Sequence, residues 1–341
     1  MSINPFYLFA LLKTSHFRNW TDRLATATMY PTFSESDFMN LPIPIPPSKL
    51  EKAVEFLIKK SQEEKEKATQ LYETANHSLL HSLNLTSWFP PTRTYHVQNL
   101  AFITESTTAV IPFSIFQKSD RLDAEYWEPA VAEVEAKIRA VGAVHLGGLC
   151  AAKPQRGVQP AFEEGGSVFV IASKAVKPVG LELDLEECVS TDFHAQPRNA
   201  KARILRGDVL LNGTGRGTLG RAGVYTSNAP ALADNHVTIL RLREGVNPFF
   251  VSLFLNSVAG RIQSEKWQTG SSGQLELYPF QIEQFLVPNL PQSIQDELGG
   301  LVRDSLAARQ ESKQLIERAR QAVEIFIEQD EASALQYLNT V

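Results

Sequence analysis

One phrase occurs twice in this chain. Residues Asn4–Ser15 read NPFYLFALLKTS, and residues Asn247–Ser257, about 243 positions downstream, read NPFFVSLFLNS. The likeness extends well past the phrase. With Pro44 set against Pro288 and Pro47 against Pro291, Leu50 falls on Ile294, Val54 on Leu298, Leu57 on Leu301 and Ile58 on Val302. Further along, Ala68 meets Ser312, Leu71 meets Leu315, Ala75 meets Ala319 and Leu79 meets Val323. A segment duplicated this closely is one structural unit used twice. Each copy is expected to hold a short helix, a strand-like LPIPIP or FLVPNL, and then one long helix.

The short helices have a local signature. Asn is a good N-cap, because its side-chain oxygen accepts a free N–H of the first turn. Proline suits the next position, where its missing N–H is not needed. Phe250, Phe254 and Val258 then follow at helical spacing, flanked by Val251 and Leu255. The long helices are expected over Ser48–Leu83 and Ser293–Glu328. Leu50, Val54, Leu57, Ser61, Ala68, Leu71 and Ala75 step by three and four, which makes a narrow seam suited to a partner helix. A helix of about 36 residues is about 54 Å long. Each is the other's obvious mate, packed antiparallel along a seam of Val54, Leu57, Leu71, Leu298, Leu301 and Leu315.

Between the copies the composition changes. Thr86–Arg243 is rich in Gly, Pro, Val and Ile, with strand-like runs at Ser167–Ser173, Gly207–Gly215, Arg221–Ser227 and Asn235–Arg243. Trp127–Arg139 is helical in period, opened by Pro129. The expected fold class is α+β: one globular domain of short mixed strands and helices, plus two long antiparallel helices forming a coiled-coil-like spacer. The domain bounds are 1–47, 48–85, 86–290 and 291–341. At 341 residues, 43% apolar and 21% charged, the chain is long enough for two domains and is globular in composition. No apolar run reaches the roughly 18 residues a bilayer needs. The apolar opening lacks a basic region and a cleavage site, so no leader is expected. Two cysteines, Cys150 and Cys188, are too few for a disulfide framework or a zinc site and suit a reducing cytoplasm.

Few motifs suggest chemistry. NPFF and NPFY are one proline short of the Asn-Pro-Pro-Tyr type tetrapeptide that holds the target amine in many DNA adenine methyltransferases. No glycine-rich cofactor motif precedes either copy, so both are read as helix starts. NGTGRGTLG (Asn212–Gly220) lacks the Gly-Lys-Ser/Thr ending of a phosphate loop and lies between two strand-like runs, which makes it a β-hairpin turn. Asp234 and His236 have no further ligand or acid–base partner at a suitable spacing, and His145 and His194 are equally isolated. No catalytic constellation, metal site or cofactor is expected.

Charge placement says more than net charge. From Arg198 to Gly270 there are ten Lys or Arg and four Asp or Glu, a local +6 on a chain of −5. Lys153, Arg156, Lys174 and Lys177 form a smaller group. A basic face on an acidic protein is the footprint of a nucleic-acid reader. Arg216 and Arg221 flank exposed glycine backbone in the hairpin turn, which also holds Thr214, and are the first choices for phosphate contacts. Lys201, Arg203 and Arg206 follow, with Lys153 and Arg156 behind them. Gln274, in GSSGQ, could reach a base edge, since glutamine pairs with adenine through two hydrogen bonds.

Four phrases come in a telling order: RLDAEYWEP (Arg121–Pro129), GDVLLNGTGRGTLGRAGVY, GSSGQLELYPFQIEQFLVPNLPQSIQDEL (Gly270–Leu298) and the long helix after it. In this order, with the last part duplicated upstream, the chain resembles the specificity subunits of type I restriction–modification systems, over nearly its whole length. The resemblance implies two target-recognition domains, each reading half of a split double-stranded DNA site. It also implies two long helices that act as a ruler and dock methyltransferase subunits, with the restriction subunit engaged indirectly. The subunit itself would be no enzyme. The chain departs from the pattern in one respect: residues 1–47 match only the last segment of a first recognition domain, while 86–290 match a complete one. The resemblance therefore leaves room for a homodimer in which residues 1–46 find a second copy. A fused restriction–methylation enzyme and a coiled-coil adaptor without DNA specificity are the competing readings.

Overall fold

The computed structural model describes residues 3–26, 32, 34–88, 121, 124–182, 187–270 and 274–340. The chain divides into two compact units, one of Met1–Leu71 with Asp304–Val341 and one of Tyr72–Arg303.

The first unit is helical. It holds α1 (Pro5–Leu11), α2 (Ser15–Leu24), α3 (Glu35–Met39), the first part of α4 (Ser48–Ser82), the later part of α10 (Gln292–Glu328) and α11 (Glu331–Thr340). Each start has a local cause. Asn4 Oδ1 accepts the Phe6 N–H at 2.9 Å, and Thr14 Oγ1 accepts the Phe17 N–H at 3.2 Å. Ser34 Oγ accepts the Asp37 N–H at 3.0 Å. Tyr7, Leu11 and Phe17 then pack with Leu50, Val54 and Ile58 of α4, with Leu315, Ala319 and Val323 of α10, and with Ala334 of α11. Each Leu or Val fully buried there stabilises the unit by roughly 1.5–3 kcal/mol. Burial, helped by Glu51, pushes the Tyr7 phenol up to about 12. Its hydroxyl donates to the Pro44 carbonyl at 3.0 Å. Tyr7, Ala10, Leu11 and Phe17 are thus covered within one chain, while Phe9 and Leu12 stay exposed.

The long helices are antiparallel: Ser61 Oγ meets Ser312 Oγ at 3.0 Å, and Ser305 Oγ donates to the Ala68 carbonyl at 2.6 Å. Small residues let the backbones approach, and each buried hydroxyl finds a partner. Of the expected seam residues, Leu71 and Leu301 are only half-buried, while Ala68 and Ala75 are fully buried, as is Val302 beside Leu301. The expected Val54, Leu57, Leu298 and Leu315 are buried.

The second unit carries the strands and α5 (Pro129–Ala140), α6 (Thr191–Ala195), α7 (Pro248–Asn256), α8 (Val258–Trp267) and α9 (Pro279–Ile282). A pair joins β1 (Ala143–His145) to β10 (Leu286–Pro288). One four-stranded sheet runs β2 (Gln155–Arg156), β9 (Val237–Leu240), β6 (Val209–Asn212), β7 (Ala222–Val224), all antiparallel. The other runs β4 (Cys188–Val189), β3 (Val168–Ile171), β8 (Ala231–Ala233), β5 (Arg203–Ile204), with β3 and β8 parallel. Ile171, Ile204, Leu210, Tyr225, Ala231, Val237 and Ile239 form one core drawn from both sheets. Helix α7 lies on β7. Its Asn256 accepts the Ala222 N–H at 3.0 Å and donates to the Ala222 carbonyl at 2.7 Å.

The duplication extends to the helix caps. Asn247 Oδ1 accepts the Phe249 and Phe250 N–H groups at 3.0 and 3.2 Å, while its amide donates to Asp296 at the start of α10 at 3.1 Å. Asn4 likewise donates to Glu55 near the start of α4 at 2.7 Å. Each Asn both caps a short helix and latches it to a long one. The copies diverge at the strand. FLVPNL supplies β10, but LPIPIP forms no strand. Pro42, Pro44, Pro46 and Pro47 leave it too few N–H donors for a ladder.

The docking of α2 should weaken in acid. Glu324 Oε1 accepts the Ser15 N–H at 2.6 Å. Partial burial opposes its charge, but Ser15 and Arg320 outweigh that and hold the carboxyl below the ordinary carboxylate value. A depressed carboxylate adds stability above its unfolded value, and that stability is lost as pH falls through the folded one. Limited proteolysis should therefore release the first 46 residues more readily as pH drops below the carboxylate range. In Glu324→Gln that pH dependence should be flattened.

Candidate nucleic-acid interface

The expected hairpin is present: β6 and β7 pair with Val209 opposite Val224 and Leu211 opposite Ala222. Its base is closed by Asn212 N–H to Arg221 O and by Gly220 N–H to Asn212 O, both 2.9 Å. Gly215, Gly217 and Gly220 hold φ of 95°, 82° and 77°, a region open to glycine and strained for other residues. Thr218 Oγ1 donates to the Thr214 carbonyl at 2.9 Å, and Thr214 Oγ1 meets His236 Nδ1 at 2.9 Å. The turn is thus a defined structure rather than a slack loop.

A distant segment joins it. Gly215 N–H donates to Leu275 O at 3.1 Å, Leu277 N–H donates to Gly213 O at 2.8 Å, and Thr214 and Glu276 form an antiparallel bridge. Gln274, which is exposed, stands next to this pairing. Gly213 permits the approach, since a Cβ there would meet Leu277 O at 3.1 Å.

The expected site residues fall into two sets. Arg156 is drawn inward. Its guanidinium donates to Gly213 O at 3.4 Å, lies 3.6 Å from the Glu276 carboxylate, and sits 5.1 Å from the centroid of the Tyr278 ring. It ties the turn to the 275–278 segment. Arg203 is also engaged, donating to His194 O at 3.0 Å and Ala195 O at 2.8 Å at the end of α6. Of the other cations counted in the basic segment, Arg241 forms a two-point pair with buried Asp208 at 2.9 and 2.7 Å, and Lys266 pairs with Glu135 at 2.5 Å. These charges belong to the folded interior as much as to any ligand.

The second set is different. Among the described residues, no hydrogen bond or ion pair engages the side chains of Lys153, Lys201, Arg206, Arg216 or Arg221. Arg221 is half-buried and the other four are exposed. Arg216 and Arg221 border the glycine turn. Lys201 lies in the 3₁₀ turn Pro197–Ala202, which packs against β2, and Arg206 follows β5. The residues that the sequence left unremarked are Tyr278 and Phe280 beside the turn. Only the 60-residue crossing from Gly215 to Leu275 brings them there. Among the described residues no group of His, Cys, Asp or Glu could hold a metal ion, and no helix is long and apolar enough to cross a membrane.

No family model matches the sequence, and no curated protein matches it. Solved structures do. The HsdS subunit from Thermoanaerobacter tengcongensis aligns over 96% of this chain and 71% of its own, at 15% identity and a TM-score of 0.36. The type I restriction-modification system S subunit from M. genitalium aligns over 98% and 72%, at 13% identity and a TM-score of 0.42. A chain from a study of complex assembly and conformational transition in the type I R-M system aligns over 98% and 71%, at 14% identity and 0.36. The solved structures this chain resembles are type I restriction–modification specificity subunits.

Proposed function

We propose that this chain is a DNA-binding specificity subunit that directs a partner adenine methyltransferase to its target site and is not itself a catalyst. The observation that carries the reading is the Asn212–Gly220 turn. It is fixed by glycine backbone and cross-bonds, and it presents Arg216 and Arg221 without side-chain partners among the described residues. Cations beside bare backbone suit close approach to phosphate. The sequence phrases shared with specificity subunits supply the partner side. The long antiparallel helices form a ruler and a docking face for modification subunits, and a restriction subunit joins through them. The site of action is the cytoplasm.

The test is reconstitution. A modification subunit encoded beside this chain is assayed for adenine methylation of plasmid DNA with and without it. Site-specific methylation that requires both proteins supports the reading. Methylation by this chain alone would mark a fused enzyme, and partner binding without any DNA binding would mark an adaptor.

A further inference from the structure

Two aromatic rings beside the turn are exposed to solvent. Tyr278 and Phe280 are 39% and 64% exposed and stack on each other with centroids 6.0 Å apart and planes 12° apart. Tyr278 is held firmly. Leu277 is bonded to Gly213, Tyr278 N–H donates to Gln281 Oε1 at 2.8 Å, and Arg156 covers the Tyr278 ring.

The internal repeat supplies a control. Tyr278 and Phe280 align with Ser34 and Ser36 of the first copy, on the register that sets Pro44 against Pro288. The helix start is built the same way in both: Ser34 N–H donates to the Asp37 carboxylate at 3.4 Å, as Tyr278 N–H does to Gln281. The fold element therefore forms with serine at both positions. Aromatic rings stand there only in the copy whose 275–278 segment joins the glycine turn.

A flat π face among cations and amides matches the face of a nucleobase. We propose that Tyr278 and Phe280 form a stacking ledge that takes a base exposed at a distorted or unpaired step of the bound duplex. Arg216 and Arg221 hold the neighbouring phosphates. The proposal rests on the DNA-binding reading and adds a base contact to it.

The full chain is titrated against two fluorescein-labelled duplexes of the same arbitrary sequence, one intact and one with a single bulged adenine. Wild type should prefer the bulged duplex by roughly tenfold, within the range for one stacked base. A 2-aminopurine placed in the bulge should be quenched on binding. Phe280→Ser, which installs the first copy's residue, should lose that preference while keeping the affinity and salt slope for intact duplex, and Tyr278→Ser/Phe280→Ser should lose it too. Phe280→Leu keeps the apolar bulk without the ring and should lose it too, which guards against a folding defect in the serine variants. Binding of both duplexes without preference, or a preference that survives all three variants, would overturn the ledge alone. A defect seen only when a modification subunit is added would assign the rings to that protein instead. Failure to bind either duplex would overturn the DNA-binding reading itself.

Discussion

Leu315→Asp should unfold the first unit. Leu315 is 1% exposed and packs in one cluster with Val54, Ile58 and Tyr7. The substitution removes a buried leucine, which by itself costs about 2–5 kcal/mol. It also places a carboxylate where no cation in that cluster can pair with it, and an unpaired buried charge costs several kcal/mol more. A whole domain is stable by only about 5–15 kcal/mol. Thermal melting followed by circular dichroism should show loss of a large part of the helical signal at temperatures where wild type is folded. Val54→Asp should do the same from the other helix, since Val54 is fully buried in the same cluster. Gln314→Asp, one residue away on the exposed side of α10, should stay within about 0.5 kcal/mol of wild type. A Leu315→Asp protein that melts like Gln314→Asp would refute the packing of α4 on α10.

Arg216→Ala/Arg221→Ala should weaken binding to every duplex alike and flatten its salt dependence. Each lost phosphate contact lowers the slope of log K against log salt by about 0.9, so two contacts lower it by about 1.8. The deficit of the double variant should therefore shrink about tenfold between 50 and 200 mM salt. Arg203→Ala serves as the contrast. Its guanidinium holds backbone carbonyls at the end of α6, so its loss should lower stability and leave the salt slope near wild type. Fluorescence anisotropy on arbitrary duplexes, with and without a modification subunit, reads both. A double variant with the wild-type slope in both settings would remove this turn from the DNA contact.

What the sequence alone determined is local or repeated. Asn4 and Asn247 announce helix starts because capping needs only the next three residues. The long helices follow from three- and four-residue apolar spacing, and the hairpin follows from glycines between two apolar runs. The repeat itself needs no structure to be seen. Tertiary structure decided which long-range partner each group meets. Arg203, Arg241 and Arg156 look like Arg216 in a charge count, yet only pairing with α6 carbonyls, Asp208 and Glu276 shows that their charge is already used. Within the seam, Ala68 and Ala75 are buried while Leu71 and Leu301 stay half-exposed, because two facing helices select side chains by the space between them. The parallel pairing of β3 with β8, and the crossing that sets Gln274, Tyr278 and Phe280 beside the Gly215 turn, join residues about 60 positions apart. Backbone hydrogen bonds make those contacts, and every residue type except proline can donate and accept them, so no local pattern in the sequence marks where they form.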